Sequence, residues 1–216
     1  MTMTNHVILA IGRQFGSGGH EIGNKVAERL DIPLYDRNLI RMAAQELKID
    51  QEKAEEVDES GLSRFLACYA ASPLEYSGYY MKEFQTGQPL SERVFEAQSG
   101  IMKRLASRGP CVLVGRCADY ILSGEPGLVS VFICAEQEDK VKRIMEKYGL
   151  SERKAADRIR KVDRERRYYY ELHTGNDWGS AGSHHVVLNA SMLGVDGAVD
   201  FLAAMYEAKY RELNKE

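Results

Sequence analysis

The sequence predicts an α/β fold in three layers, with a five-stranded parallel sheet covered by helices on both faces. Three observations predict it. Short apolar runs alternate along the chain with longer segments whose apolar residues recur at helical spacing. The runs are continuously apolar, which is the pattern of strands buried on both faces. The composition, 44% hydrophobic and 28% charged, is that of a chain able to bury a core.

Taken in order, Val7-Ile8-Leu9-Ala10-Ile11 is the first strand, and it stops at Gly12. A glycine loop follows, and from Glu21 the residues Ile22, Val26, Ala27 and Leu30 fall on one face of a helix. Ile32 to Tyr35 reads as a second strand, and Leu39, Ile40, Ala43, Ala44 and Leu47 mark a second helix. Cys111 to Val114, Val129 to Cys134 and Val186 to Leu188 are the remaining strands, and a helix from Val195 to Leu213 closes the chain. Two regions interrupt the alternation. Residues 48–108 form a helical insertion that includes a polar stretch, Ser72 to Leu90. Residues 151–183 run as a basic helix into a glycine-containing loop. Both are expected to be lids over one sheet edge, so residues 1–216 are expected to form a single domain.

A net charge of −3 gives no electrostatic case for a nucleic-acid or membrane partner. The distribution is uneven: residues 140–167 carry twelve Lys/Arg against five Asp/Glu, a local excess that suits an anionic ligand or a solvated helix face. The four cysteines show no metal-ligand spacing and read as reduced thiols. With no signal-peptide pattern and no run of membrane-spanning length, the expected location is the cytoplasm. Oligomeric state, a homo-oligomer included, stays open.

The strongest motif is Gly12-Arg13-Gln14-Phe15-Gly16-Ser17-Gly18-Gly19-His20 between the first strand and the first helix. Glycines there let backbone amides turn into a concave nest, and the helix N-terminus adds its dipole, so Gly16, Ser17, Gly18, Gly19 and His20 are expected to bind phosphate. A tight strand-to-helix turn is the plainer alternative, but three glycines within four residues exceed what a turn needs. Aligned on Gly18, the Walker A pattern asks for Gly, Lys and Ser/Thr at positions 13, 19 and 20, where this chain has Arg13, Gly19 and His20. The lysine that reaches the β- and γ-phosphates and the hydroxyl that holds magnesium are both replaced. Arg13 is the expected substitute cation, because guanidinium grips phosphate bidentately. A dinucleotide fingerprint is a poor fit, since Glu21 stands where its third glycine is needed.

The loop, together with Tyr35-Asp36-Arg37, the segment Gly109 to Leu122 containing Gly115-Arg116-Cys117-Ala118-Asp119, Asp163-x-x-Arg166-x-x-Tyr169-Tyr170, Thr174-Gly175 and Leu188-Asn189-Ala190-Ser191, resembles the cytidylate kinase-like family over residues 7 to about 203. The resemblance implies the P-loop kinase fold, ATP with Mg2+ as cofactors, and small nucleotide substrates. It also implies acceptor contacts from Asp36, Arg37, Arg41, Arg116 and Asp119, and a lid in which Arg160, Arg164, Arg166 and Arg167 supply charge. Read from the residues alone, Asp36 serves equally as a helix cap, Arg116 and Asp119 as a structural pair, and the arginine run as a solvated helix. The expected activity is transfer of a phosphoryl group from ATP to a small acceptor, a nucleoside monophosphate such as CMP. A nucleotide-binding module without transfer is the rival expectation.

Overall fold

The computed structural model describes residues 5–36, 38–56, 58 and 88–215. Its described elements, in chain order, are β1 (Ile8–Arg13), α1 (Gly19–Leu30), β2 (Leu34–Tyr35), α2 (Asn38–Leu47), α3 (Gln51–Glu56), α4 (Leu90–Arg108), β3 (Cys111–Val114), α5 (Ala118–Ile121), β4 (Leu128–Cys134), α6 (Gln137–Tyr148), α7 (Glu152–Thr174), β5 (Val186–Asn189) and α8 (Ala190–Leu213). The chain divides into two compact units, one of residues up to Asp36 and from Met102 on, the other of residues 37–101.

The first unit contains a five-stranded sheet in the order β2-β3-β1-β4-β5, parallel at every pairing. All five expected strands are present, in the α/β architecture that the sequence predicts. β1 lies in the middle, with Ile8 paired to Cys111 on one side and to Leu128 on the other. Its Leu9 and Ile11 pack with Ile22 and Val26 of α1, Val112 and Val114 of β3, Val131 and Ile133 of β4, and Ala198 and Leu202 of α8 in one buried cluster. The same burial pushes the Cys111 thiol up to about 12, so this cysteine acts as a small apolar core residue.

β1 differs from the sequence reading in one respect that matters for the site. It runs on through Gly12 and Arg13, which pair with Phe132 and Ile133 of β4. The residue inside the strand is glycine because the Phe132 ring lies where a side chain would stand: a Cβ at Gly12 would meet it at 2.8 Å. Arg13 therefore leaves from a strand end rather than from a loose loop. The last helix also begins earlier than expected, at Ala190. It is broken at Gly194 (φ 68°, ψ 175°), which hid its first turn from a periodicity argument.

In the second unit, Ile40 and Ala44 of α2, Ala54 of α3 and Val94 of α4 form a small core, flanked by Leu47, Ile49 and Leu90. Gln98 donates to the buried Asp58 carboxylate at 3.1 Å. Most of the polar stretch Ser72 to Leu90, and Cys68, lie outside the described residues.

Candidate active site

The loop from Gln14 to Gly19 begins where β1 ends. Gly16 (φ 83°) and Gly18 (φ 82°) are left-handed on either side of Ser17, the kind of backbone from which anion-binding nests are built. Ser17 is buried. Its hydroxyl donates to the Gln14 carbonyl at 2.9 Å, closing the loop on itself. Gly18 is also the residue before α1, so the loop runs directly into a helix N-terminus.

Because β3 and β4 flank β1, the loop has a charged group of residues on each side. On the β3 side Arg13 is 7% exposed and runs past two glycines. A Cβ at Gly19 would meet the Arg13 Cβ at 2.6 Å, and one at Gly115 would collide with its guanidinium. Arg13 Nη2 lies 3.9 Å from Asp36 Oδ1, and His20 Nε2 lies 3.2 Å from Asp36 Oδ2. Burial works against the Asp36 charge, but the hydrogen bond from His20 and the charges of Arg13 and Arg116 outweigh it and hold the carboxyl at about 2.

Arg116 is delivered by an unusual turn. Gly115, Arg116 and Cys117 have φ of 76°, 57° and 57°, a left-handed turn closed by the Ala118 amide donating to the Gly115 carbonyl at 3.2 Å. Left-handed backbone costs a residue other than glycine about 1–2 kcal/mol, a strain of the kind concentrated at functional sites. It leaves Arg116 buried where its charge acts on Asp36. Asp119, two residues beyond the turn, accepts a 2.6 Å hydrogen bond from the Tyr170 hydroxyl and lies 3.7 Å from His184 Nδ1.

On the β4 side, α6 and α7 lie against the loop. Lys140 Nζ donates to Gln14 Oε1 at 3.1 Å and sits 3.8 Å from Asp163 Oδ2. Asp163 Oδ1 accepts the Phe15 amide at 2.6 Å. Burial pushes the Asp163 carboxyl up, partly offset by the Phe15 amide and by the charges of Lys140, Arg166 and Arg167. Arg166 Nη1 donates to the Arg13 carbonyl at 3.2 Å, and its guanidinium lies 5.7 Å from the Phe15 ring. Arg158 stacks 3.9 Å over Tyr148 and 5.8 Å from Phe15. Arg143 hydrogen-bonds Glu21 Oε2 at 2.8 Å, and a Cβ at Gly18 would stand 3.3 Å from its guanidinium carbon.

The model of the cytidylate kinase-like family matches residues 8–192, most of this chain. The chain belongs to that family. Among solved structures it is similar to an uncharacterized protein from Eubacterium ventriosum, 26% identical, with a TM-score of 0.70 over 94% of this chain and 99% of the other. Fainter likenesses include a shikimate kinase from Bacteroides thetaiotaomicron, 12% identical with a TM-score of 0.49 over 93% and 98%, and a gluconokinase from Sinorhizobium meliloti, 17% identical with a TM-score of 0.47 over 97% and 98%. None of the curated proteins compared matches the chain.

In this cytidylate kinase-like protein the structure gathers Arg13, His20, Asp36 and Arg116 on one side of the loop Gly16–Gly19, and brings Arg166 to the loop from the other. Arg160 pairs with Asp157 at the surface, Arg164 is exposed, and Arg167 lies 5.8 Å over Trp178. Arg41 is an exposed residue of α2 in the second unit, and Arg37 lies outside the described residues. The sequence argument missed Lys140, Arg143 and the bond from Asp163 to the loop. Lys140 and Arg143 stand three apart at the head of the basic run, a spacing that puts both on one helix face. That spacing was the available signal.

Proposed function

We propose that this protein transfers the γ-phosphoryl group of ATP to a nucleoside monophosphate such as CMP. The observation that carries the reading is the position of Arg13. It crosses the space a Walker lysine at position 19 would enter and ends between the loop and the turn holding Arg116. Cations on both flanks of one phosphate hollow are what transfer between two phosphorylated molecules calls for, because the reaction is chiefly positioning and charge neutralisation.

In the proposed reaction the loop amides hold the donor phosphates, and Arg13 and Arg143 neutralise their charge. Arg116 and Asp36 orient the acceptor. An oxygen of the acceptor phosphate, already ionised, bonds to the γ-phosphorus. The bond from that phosphorus to the β–γ bridging oxygen breaks, and ADP leaves with the electron pair. No general base is required. Arg166, with Arg160, Arg164 and Arg167 on the same helix, would complete the charge shell and exclude water.

The family implies Mg2+ with the nucleotide, and the residues present fit a divalent ion. Asp36 is buried and ionised, and its Oδ1 accepts no hydrogen bond. When bound, the ion would neutralise β- and γ-phosphate oxygens. Among the described residues no group of three or more His, Cys, Asp or Glu side chains could hold a metal, so phosphate oxygens and water would supply its other ligands.

A coupled ADP-release assay over a panel of nucleoside monophosphates tests the reading. CMP turnover is expected, with Arg13→Ala lowering kcat/KM by about ten- to a hundred-fold, the worth of one charged hydrogen bond. Absence of turnover with every acceptor, alongside calorimetric ATP binding, supports the second reading, a nucleotide-binding module without transfer. The glycine and histidine at the Walker positions 19 and 20 are what favour that alternative.

A further inference from the structure

His20 occupies the position at which a Walker loop carries the hydroxyl that holds magnesium, and the structure pairs it with a carboxylate. Its Nε2 is 3.2 Å from Asp36 Oδ2. Two adjacent ligands of one octahedral ion, each about 2.1 Å from it, stand about 3 Å apart, so these two atoms already have nearly the separation that shared coordination requires. Asp36 Oδ1 is buried and free of hydrogen bonds, which leaves a carboxylate with coordinating capacity to spare. The other imidazole nitrogen is also held: the Asn24 side-chain amide lies 3.1 Å from His20 Nδ1. When an ion binds, the proton that Nε2 donates to Asp36 moves to Nδ1, where the half-buried Asn24 amide, turned over, presents its oxygen. Nε2 then keeps its lone pair for a metal, the outer-shell arrangement that orients histidine ligands.

We propose that His20 and Asp36 together ligate the divalent ion that accompanies the nucleotide, and that the imidazole makes this site prefer Mn2+ to Mg2+. The proposal rests on the nucleotide-binding reading above. Mg2+ takes oxygen ligands almost exclusively and sheds water reluctantly, whereas Mn2+, the weakest binder of the first-row transition ions, also suits carboxylate and phosphate but is soft enough to take an imidazole nitrogen more readily than Mg2+ does. Arg13 and Arg116 stand beside Asp36, so a cation alone is opposed there, and the ion enters with the negative charge of the triphosphate. Two protein ligands then suffice, the remainder coming from phosphate and water.

The test uses the full chain with a non-hydrolysable ATP analogue and either Mn2+ or Mg2+. Calorimetry is expected to show that His20→Ser, which restores the Walker hydroxyl, lowers the Mn2+-over-Mg2+ preference of analogue binding by about tenfold. Pulsed electron paramagnetic resonance on protein labelled with 15N-histidine should show nitrogen coupling to bound Mn2+ that disappears in both His20→Ser and His20→Ala. His20 is largely exposed, with a side chain 58% accessible, so neither variant threatens folding. If the analogue binds yet the preference is unchanged and no imidazole coupling is seen, the metal proposal is wrong while the nucleotide reading stands. If the analogue binds with neither ion, both fall together.

Discussion

Arg13 and Gly19 depend on each other. The arginine leaves β1 directly beside the glycine, and any side chain at position 19 would have to displace its Cβ, so the Walker lysine and this arginine exclude one another at the observed geometry. Arg13 in turn needs a partner on its way across the sheet rim, and Asp36 provides it. With a folded value of about 2 against roughly 3.9 in the unfolded chain, Asp36 contributes stability that is fully present above the unfolded value and is lost as pH falls through about 2. The size is about 2.6 kcal/mol, and Asp36→Asn is expected to remove it at pH 7. Urea denaturation of both proteins between pH 7 and 2.5 should show the gap closing as the solution becomes acid. A gap that stays constant would mean that Asp36 is not held ionised by its cations.

At the scale of elements, α7 is less a free lid than a strap. Asp163, Arg166 and Tyr170 are spaced three and four apart, so they share one helix face. Between them they hold the Phe15 amide, the Arg13 carbonyl and the Asp119 carboxylate. One helix thus ties the glycine loop to Asp119, two residues beyond the left-handed turn. Asp163→Ala is expected to free the Phe15 amide and speed its hydrogen exchange by about ten- to a hundred-fold, matching a charged hydrogen bond of about 1.5–3 kcal/mol. Exchange at Phe15 no faster than in the unaltered protein would show the strap to be incidental. The strap also marks the limit of what the sequence disclosed. The five strands were legible because continuous apolar runs need no tertiary information to be recognised, and the glycine loop because it sits between such a run and a helix. The extension of β1 to Arg13 was hidden because Gly12 looks like a strand end until Phe132 covers it. Helical spacing put Arg160, Arg164 and Arg167 on one face. Which residues of α7 meet the loop depends on how α6 and α7 pack, and of the arginines named from the sequence that packing brings Arg166 to it, beside Asp163.

At the scale of the molecule, a chain with net charge −3 concentrates the opposite sign around one loop. Arg13, Arg116, Lys140, Arg143 and Arg166 are gathered there against the carboxylates of Glu21, Asp36 and Asp163. The residues concerned all belong to the unit made of the chain up to Asp36 and from Met102 on, so mutual repulsion among those cations is borne by the unit that contains the sheet. A polyanion that binds the hollow relieves this repulsion and favours the folded form by mass action. At a hundred times its dissociation constant an ATP analogue should add about 2.7 kcal/mol to the stability of that unit. For a chain of this size the corresponding rise in Tm is about 5–10 °C, and it should shrink in high salt because the cations are partly screened. Differential scanning fluorimetry with the analogue, inorganic triphosphate and adenosine separates the contributions. Triphosphate should reproduce much of the shift and adenosine little of it. A shift that follows adenosine instead would place the binding energy in base recognition and leave the glycine loop and its flanking cations without the role argued for them.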